Sequence, residues 1–286
     1  MVRSLLLLAA LALTSCAANP SQPASPQLNA ATVQSAIVAT GGRIVDLSYP
    51  YDNATLYWPT DTAGFVLEKT HWGKTDGGYF YASAKMCTAE HGGTHIDAPI
   101  HFAEGRPTLD KIALDRLIAP AVVIDISKAA ASNPDALLGA ADIEAFERTH
   151  GRIEPKTIVL VRTGWSERWP DRKRYLGDDK PGDASNLHFP GIGEDAARAL
   201  VARKVAAVGI DTASIDNGPS KTFMTHRVLL DAEIPGLENL ASLKELPARG
   251  AAVIALPMKI GGGSGGPLRV VALLPPPVST ASPPAR

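Results

Sequence analysis

Two almost wholly apolar runs, residues 121–126 (AVVIDI, broken only by Asp125) and 157–161 (TIVLV, opening on Thr157), constrain this chain more than any other feature. A strand with one wet face alternates apolar and polar residues. A short run that is apolar throughout and rich in β-branched residues is a strand covered on both faces. Residues 205–210 and 252–256 read in the same way, 44–47 as an opening strand and 268–273 as a closing one. Residues 79–86 alternate like a half-buried strand. Residues 141–150 and 193–203 carry helical spacing, and Glu194 and Asp195 suit the positive end of a helix dipole. Covered strands alternating with amphipathic helices predict an α/β domain built on a mixed central sheet.

The folded body spans about 41–275, and its flanks differ from it. Arg3 precedes an apolar run, 5–13, too short to cross a bilayer as a helix, and the run ends in Leu13, Thr14, Ser15 and Cys16. This resembles a bacterial lipobox. It implies a signal peptide over 1–16, with Cys16 lipidated as the first mature residue; the alternative is ordinary signal cleavage near Ala18. Either way the protein is exported. With Ala17 rather than Asp after Cys16, the periplasmic face of the outer membrane is favoured over the inner membrane. Residues 17–40, rich in Ala, Ser, Pro, Gln and Asn, read as a flexible tether, and 276–286 as a disordered tail.

A formal net charge of −1 with no basic run gives no reason to expect nucleic acid, and membrane contact is expected only through the lipid. Cys16 and Cys87 are the only cysteines, so no disulfide framework is possible once Cys16 is lipidated or removed. Cys87 reads as a small buried hydrophobe.

Residues 91–102 (HGGTHIDAPIHF) carry the chemistry. Three of the seven histidines and one carboxylate, Asp97, fall within eleven positions. Gly92, Gly93 and Pro99 prevent a regular helix, and a bent segment can turn several side chains to one point. Neutral imidazole and carboxylate suit Zn²⁺ or Mn²⁺, and such an ion activates water and polarises a carbonyl. The G-x-S-x-G match at residues 262–266 lies in a glycine run that leads into a strand rather than a helix, so it is not a nucleophile elbow and a serine hydrolase is not expected. The glycine run 261–266 lacks the Lys-Ser/Thr of a phosphate loop and reads as a flexible turn. Trp58, Trp72 and Trp165 read as core or pocket-wall residues. Asp211, Ser214 and Asp216 read as shaping the backbone rather than reacting.

The segment resembles the HxGTHxDxPxHF motif of the cyclase family, which includes bacterial kynurenine formamidases and isatin hydrolase. His91, Gly93, Thr94, His95, Asp97, Pro99, His101 and Phe102 all fit. Residues 208–216 (VGIDTASID) resemble the family's GxDTxSxD segment. Thr225, His226 and residues 235–240 (PGLENL) resemble its TH…EN/GL segment, and 256–259 and 266–270 its closing segments. The resemblance runs from about 43 to 274.

It implies a swivelling β/β/α-type fold, a homodimer, and one or two ions of Zn²⁺ or Mn²⁺. It implies His91, His95 and Asp97 as ligands, and His101 as ligand to a second ion or as catalytic neighbour. His226 and Glu238 would complete the site as ligands or in acid/base chemistry. Trp58 and His188 are the candidates for substrate contact. The expected activity is hydrolysis of a small-molecule amide C–N bond, in an N-formyl aromatic amine such as N-formylkynurenine or in a cyclic amide such as isatin. Export, and an insertion-like stretch over 169–187, weigh toward an environmental or envelope-side amide, lactam or lactone. The alternative is a non-catalytic lipoprotein that buffers or delivers Zn²⁺ or Mn²⁺.

Overall fold

The computed structural model describes residues 42–274. The stretches expected to be a signal peptide, a tether and a tail, and Cys16 with them, lie outside the described residues. Strands β1 (Arg43–Asp46), β4 (His95–Asp97), β5 (Ile118–Asp125), β7 (Ile158–Arg162), β9 (Ala207–Ile210), β10 (Gly236–Glu238), β11 (Arg249–Pro257) and β12 (Gly265–Leu274) form one sheet, ordered β1-β12-β11-β5-β7-β9-β10-β4. β12 also pairs with β4, so seven strands close into a barrel-like ring with β1 added outside it on β12. β5, β7, β9 and β10 run parallel and the other pairings are antiparallel. The expected α/β class and mixed sheet are therefore present; the ring closure was not expected.

The parallel strands are joined by crossovers that contain helices α1 (Ala140–His150), α2 (Glu194–Ala202) and α3 (Met224–Asp231). Alternate residues of the central strands enter two separate cores. Ala121, Val123, Ile158, Leu160 and Leu237 pack with residues of β11 and β12 in one cluster. Val122, Ile124, Val159, Val161, Val208 and Ile210 pack against Ile143 and Phe146 of α1, Leu200 of α2 and Leu229 of α3 in the other. The continuous apolar runs are thus explained: one set of side chains fills the ring and the other meets the helices. A third cluster packs Tyr175, Leu176 and Leu187 of the stretch that reads as an insertion against Leu56, Trp165 and Phe189. A short two-stranded pair, β6 (Leu137–Leu138) with β8 (Gly191–Ile192), ties that stretch to the entry of α1.

The hairpin of β2 (Val66–Lys74) and β3 (Phe80–Cys87) departs from expectation. No residue of either strand is buried. Its alternation does not mark a half-buried face, Cys87 is exposed rather than a buried hydrophobe, and Trp72 is 57% exposed rather than core or pocket wall.

Candidate active site

β4 and β10 are antiparallel neighbours, with Glu238 opposite His95 and Gly236 opposite Asp97. Side chains two apart on a strand share a face, so His95, Asp97 and Glu238 converge on one side while Ile96 and Leu237 enter the ring core. The motif segment therefore contains a strand as well as the predicted bend. It continues into a single 3₁₀ turn, Pro99–His101, that brings His101 back over His91, the rings stacked at 3.8 Å. Gly92 lets the segment pass against Tyr57: a Cβ there would lie 2.1 Å from the ring. His226 enters from the first turn of α3.

The donor atoms are spaced for a metal ion. His95 Nε2 lies 3.4 Å from Asp97 Oδ1 and 3.4 Å from Glu238 Oε2. His226 Nε2 lies 3.4 Å from Asp97 Oδ2 and 3.3 Å from Glu238 Oε1. Atoms that each stand about 2.0–2.1 Å from one tetrahedral ion are about 3.3–3.4 Å apart. Asp97 Oδ2 is buried without a hydrogen-bond partner, a costly state for a carboxylate oxygen unless a cation meets it. Two donor sets share Asp97: His95, Asp97 and Glu238, and His91, Asp97 and His101. With nitrogen and oxygen donors and no thiolate, the residues present fit a divalent ion such as Zn²⁺ or Mn²⁺.

The electrostatics agree. Burial disfavours the charged forms of His95 and His226, but their hydrogen bonds to carboxylates outweigh it, raising His95 to about 9 and His226 well above its ordinary value. Asp97 is held well below the usual carboxylate range: burial works against this, but the surrounding imidazoles of His226, His91 and His95 outweigh it. Glu238 moves up, chiefly through burial and then the field of Asp97. His101 is pushed down to about 4 by burial, against the pull of Asp97. The cluster as a whole draws positive charge, which protons or a cation can supply.

Partners outside the cluster fix the rings. His95 Nδ1 meets Gly93 O at 3.0 Å. His226 Nδ1 donates to Asp216 Oδ2 at 2.6 Å, and the same carboxylate accepts the backbone N–H groups of Thr225 and His226, both at 3.1 Å. Asp216 thus satisfies the start of α3 and directs Nε2 of His226 into the site. The sequence reading gave it a backbone role only, and the imidazole contact was missed. Asp211 does behave as read: fully buried, it accepts Thr163 N and Oγ1 at 2.7 Å and Gly164 N at 2.9 Å.

A cavity of about 310 Å³ opens onto His91, His95, Asp97, His101, His226 and Glu238. Its other walls are Leu56, Tyr57, Trp58, Phe102, Leu176, Ala213 and Phe223, with Asp61, Ser214 and Asn239 as further polar groups. Trp58 lines it, as expected. His188 does not: its Nδ1 lies 3.0 Å from both oxygens of Asp135, and the pair is partly solvent-exposed. Of the two candidates for substrate contact, Trp58 therefore lines this cavity and His188 does not. Trp165 is a core residue, its indole N–H bonded to Tyr175 O. Phe102 and Phe223 were not singled out as pocket residues; each packs on His226, at 4.6 and 6.2 Å between ring centres.

Residues 45–217 match the model of a family described as "Putative cyclase". The isatin hydrolase of Roseibium aggregatum is 39% identical over 206 residues, spanning 69% of this chain and 77% of that protein. The kynurenine formamidase of Salinibacter ruber is 29% identical over 230 residues, spanning 80% of this chain and 96% of that protein. Among solved structures, an isatin hydrolase bound to the product analogue thioisatinate superposes with a TM-score of 0.77 at 34% identity, covering 87% of this chain and all of that one.

Proposed function

The chain belongs to the cyclase family, and from that premise we propose that it is a metal-dependent hydrolase cleaving the amide C–N bond of a neutral, flat aryl lactam of the isatin type. The observation that carries the substrate class is the cavity wall. Trp58, Phe102, Phe223, Leu56 and Leu176 offer apolar faces to an aromatic ring, and among the described residues no Lys or Arg lines the cavity. N-formylkynurenine carries a carboxylate and an ammonium group. Asp61 can meet the second; apart from the metal cluster itself, no Lys or Arg among the described residues is there to meet the first, and an unpaired charge is costly to desolvate.

A bound divalent ion supplies Lewis acidity, polarising the amide carbonyl and lowering the pKa of water. His95, Asp97, Glu238 and His226 would hold it, and His91, Asp97 and His101 would hold a second. Where only the first ion is held, His101, stacked on His91 and open to the cavity, can accept a proton from the attacking water and return it to the leaving nitrogen. The new C–O bond, the broken C–N bond and the returned proton leave an aryl amine and a carboxylate, the second proton of the water passing to solvent.

The test compares isatin with N-formylkynurenine on the purified protein loaded with Zn²⁺ or Mn²⁺. Metal-dependent opening of isatin, at least about tenfold better in kcat/KM, is expected; one missing polar partner is worth about that much. Faster cleavage of the formamide would overturn the substrate class. Bound metal with no turnover of either would overturn the substrate class and leave an unrelated amide or ester substrate or the non-catalytic lipoprotein.

The remaining parts of this reading concern fold, assembly and place. The closed sheet with helices against its outer face is the arrangement we take as the swivelling β/β/α type. A homodimer is supported by the bare β2–β3 hairpin. Val66, Leu67, Trp72, Tyr79, Phe80, Tyr81 and Met86 are each 50–65% exposed, and at roughly 100 Å² apiece they offer about 700 Å² per protomer, near the usual share of a stable interface. Trp72→Asp should shift sedimentation from dimer to monomer, and an unchanged profile would remove this support. Export and lipidation at Cys16 rest on Arg3, the run 5–13 and Cys16 itself; palmitate labelling that survives Cys16→Ala would exclude the anchor.

A further inference from the structure

We propose that Ser264 and Glu90 are positioning residues that set the tautomer of His91, so that His91 offers Nδ1 to the metal while His95 and His226 offer Nε2. The inference rests on the metal-site reading above. Ser264 lies in the glycine run between β11 and β12, which reads in sequence as a flexible turn. In the fold the run is pinned. Ser264 O accepts Ala98 N–H at 2.8 Å, Gly263 O accepts Leu109 N–H at 2.9 Å, and Gly262 N donates to Asp110 Oδ1 at 3.0 Å. A Cβ on Gly265 would lie 2.5 Å from His91 Cε1 and 2.6 Å from Ile96 O. Glycine here permits a close approach to the site rather than freedom of movement.

The direction of each hydrogen bond follows from what each atom can do. The Glu90 carboxylate only accepts. Its Oε2 stands 2.6 Å from Ser264 Oγ and 3.0 Å from Ser264 N, so the hydroxyl proton points to Glu90. Ser264 Oγ then presents lone pairs to His91 Nε2, 2.9 Å away, and that nitrogen must be the protonated one. A neutral His91 therefore turns the lone pair of Nδ1 toward Asp97 Oδ1, 2.7 Å away. Two lone-pair donors face each other there, which a shared cation relieves. His95 and His226 are set the opposite way, because their Nδ1 atoms are engaged by Gly93 O and Asp216.

The experiment is long-range proton–nitrogen NMR of the full chain with ¹⁵N-labelled histidine, loaded with Zn²⁺ alone, together with Zn²⁺ affinity by chelator competition. The expected result is His91 protonated on Nε2. Ser264→Ala and Glu90→Ala should each weaken Zn²⁺ about 10–100-fold, as loss of a partner behind a ligating histidine does. Glu90→Gln, which keeps an acceptor oxygen, should recover much of the loss. His91 protonated on Nδ1 in the Zn²⁺-loaded parent, or Ala variants that bind Zn²⁺ within twofold of it, would overturn the proposal while leaving the metal site intact. A parent chain that binds no Zn²⁺ would overturn the metal-site reading, and this inference with it.

Discussion

Asp216→Ala removes one carboxylate and strands three donors: the Nδ1–H of His226 and the backbone N–H groups of Thr225 and His226. Asp216 and His226 side chains are 6% and 5% exposed, so water cannot replace the lost acceptor. Breaking a buried charged pair by deleting one partner costs about 3–5 kcal/mol, a large part of the roughly 5–15 kcal/mol that stabilises a domain. For a domain of this size each kcal/mol lowers Tm by about 2–4 °C, so a fall of about 6–20 °C is expected in the metal-free protein. Asp216→Asn keeps one acceptor oxygen and should lose about half as much. Because Asp216 also directs Nε2 of His226 toward Asp97 and Glu238, Zn²⁺ affinity should drop about 10–100-fold. Thermal unfolding followed by circular dichroism gives the first number and chelator competition the second. An Asp216→Ala protein with Tm within about 2 °C and affinity within twofold of the parent would refute the reasoning.

Asp97→Ala should abolish stoichiometric Zn²⁺ binding and amide turnover together, since Asp97 belongs to both donor sets; bound metal measured by atomic absorption checks this, and retention of both would sink the site. Trp58→Ala should raise KM about tenfold by stripping one aromatic wall, with Zn²⁺ affinity unchanged. His188→Ala should leave kcat/KM within about twofold, because His188 pairs with Asp135 away from the cavity; a tenfold loss would restore it as a substrate contact. Gly92→Ala forces a methyl against the Tyr57 ring and should destabilise by about 1–3 kcal/mol, read as a lower urea midpoint.

The division between what was legible in sequence and what was not follows the range of the interactions. The covered strands were legible because burial on both faces leaves a local trace, an unbroken apolar run. The central runs of β5, β7 and β9 lie where they read, with bounds shifted by a few residues. The ring closure was not, because β12 pairing with β4 joins segments about 170 positions apart with no local mark. Alternation in 79–86 named a strand but not what covers it, so Cys87 and Trp72 were placed inside when both stand outside.

The same rule orders the site. Sequence alone determined that His91, His95, Asp97 and His101 would be neighbours, since a bent stretch of eleven residues cannot separate them far. That His226 and Glu238 would join them came from the resemblance, and the cross-strand pairing of Glu238 with His95 supplies the physical reason. Only the tertiary structure decided the roles of Asp216, Ser264 and Glu90 and the absence of His188 from the cavity. Glycine spells both freedom and close approach, and a lone acid or histidine spells both surface and site. The difference lies in which remote side chain arrives within about 3 Å, and that is set by packing across the fold.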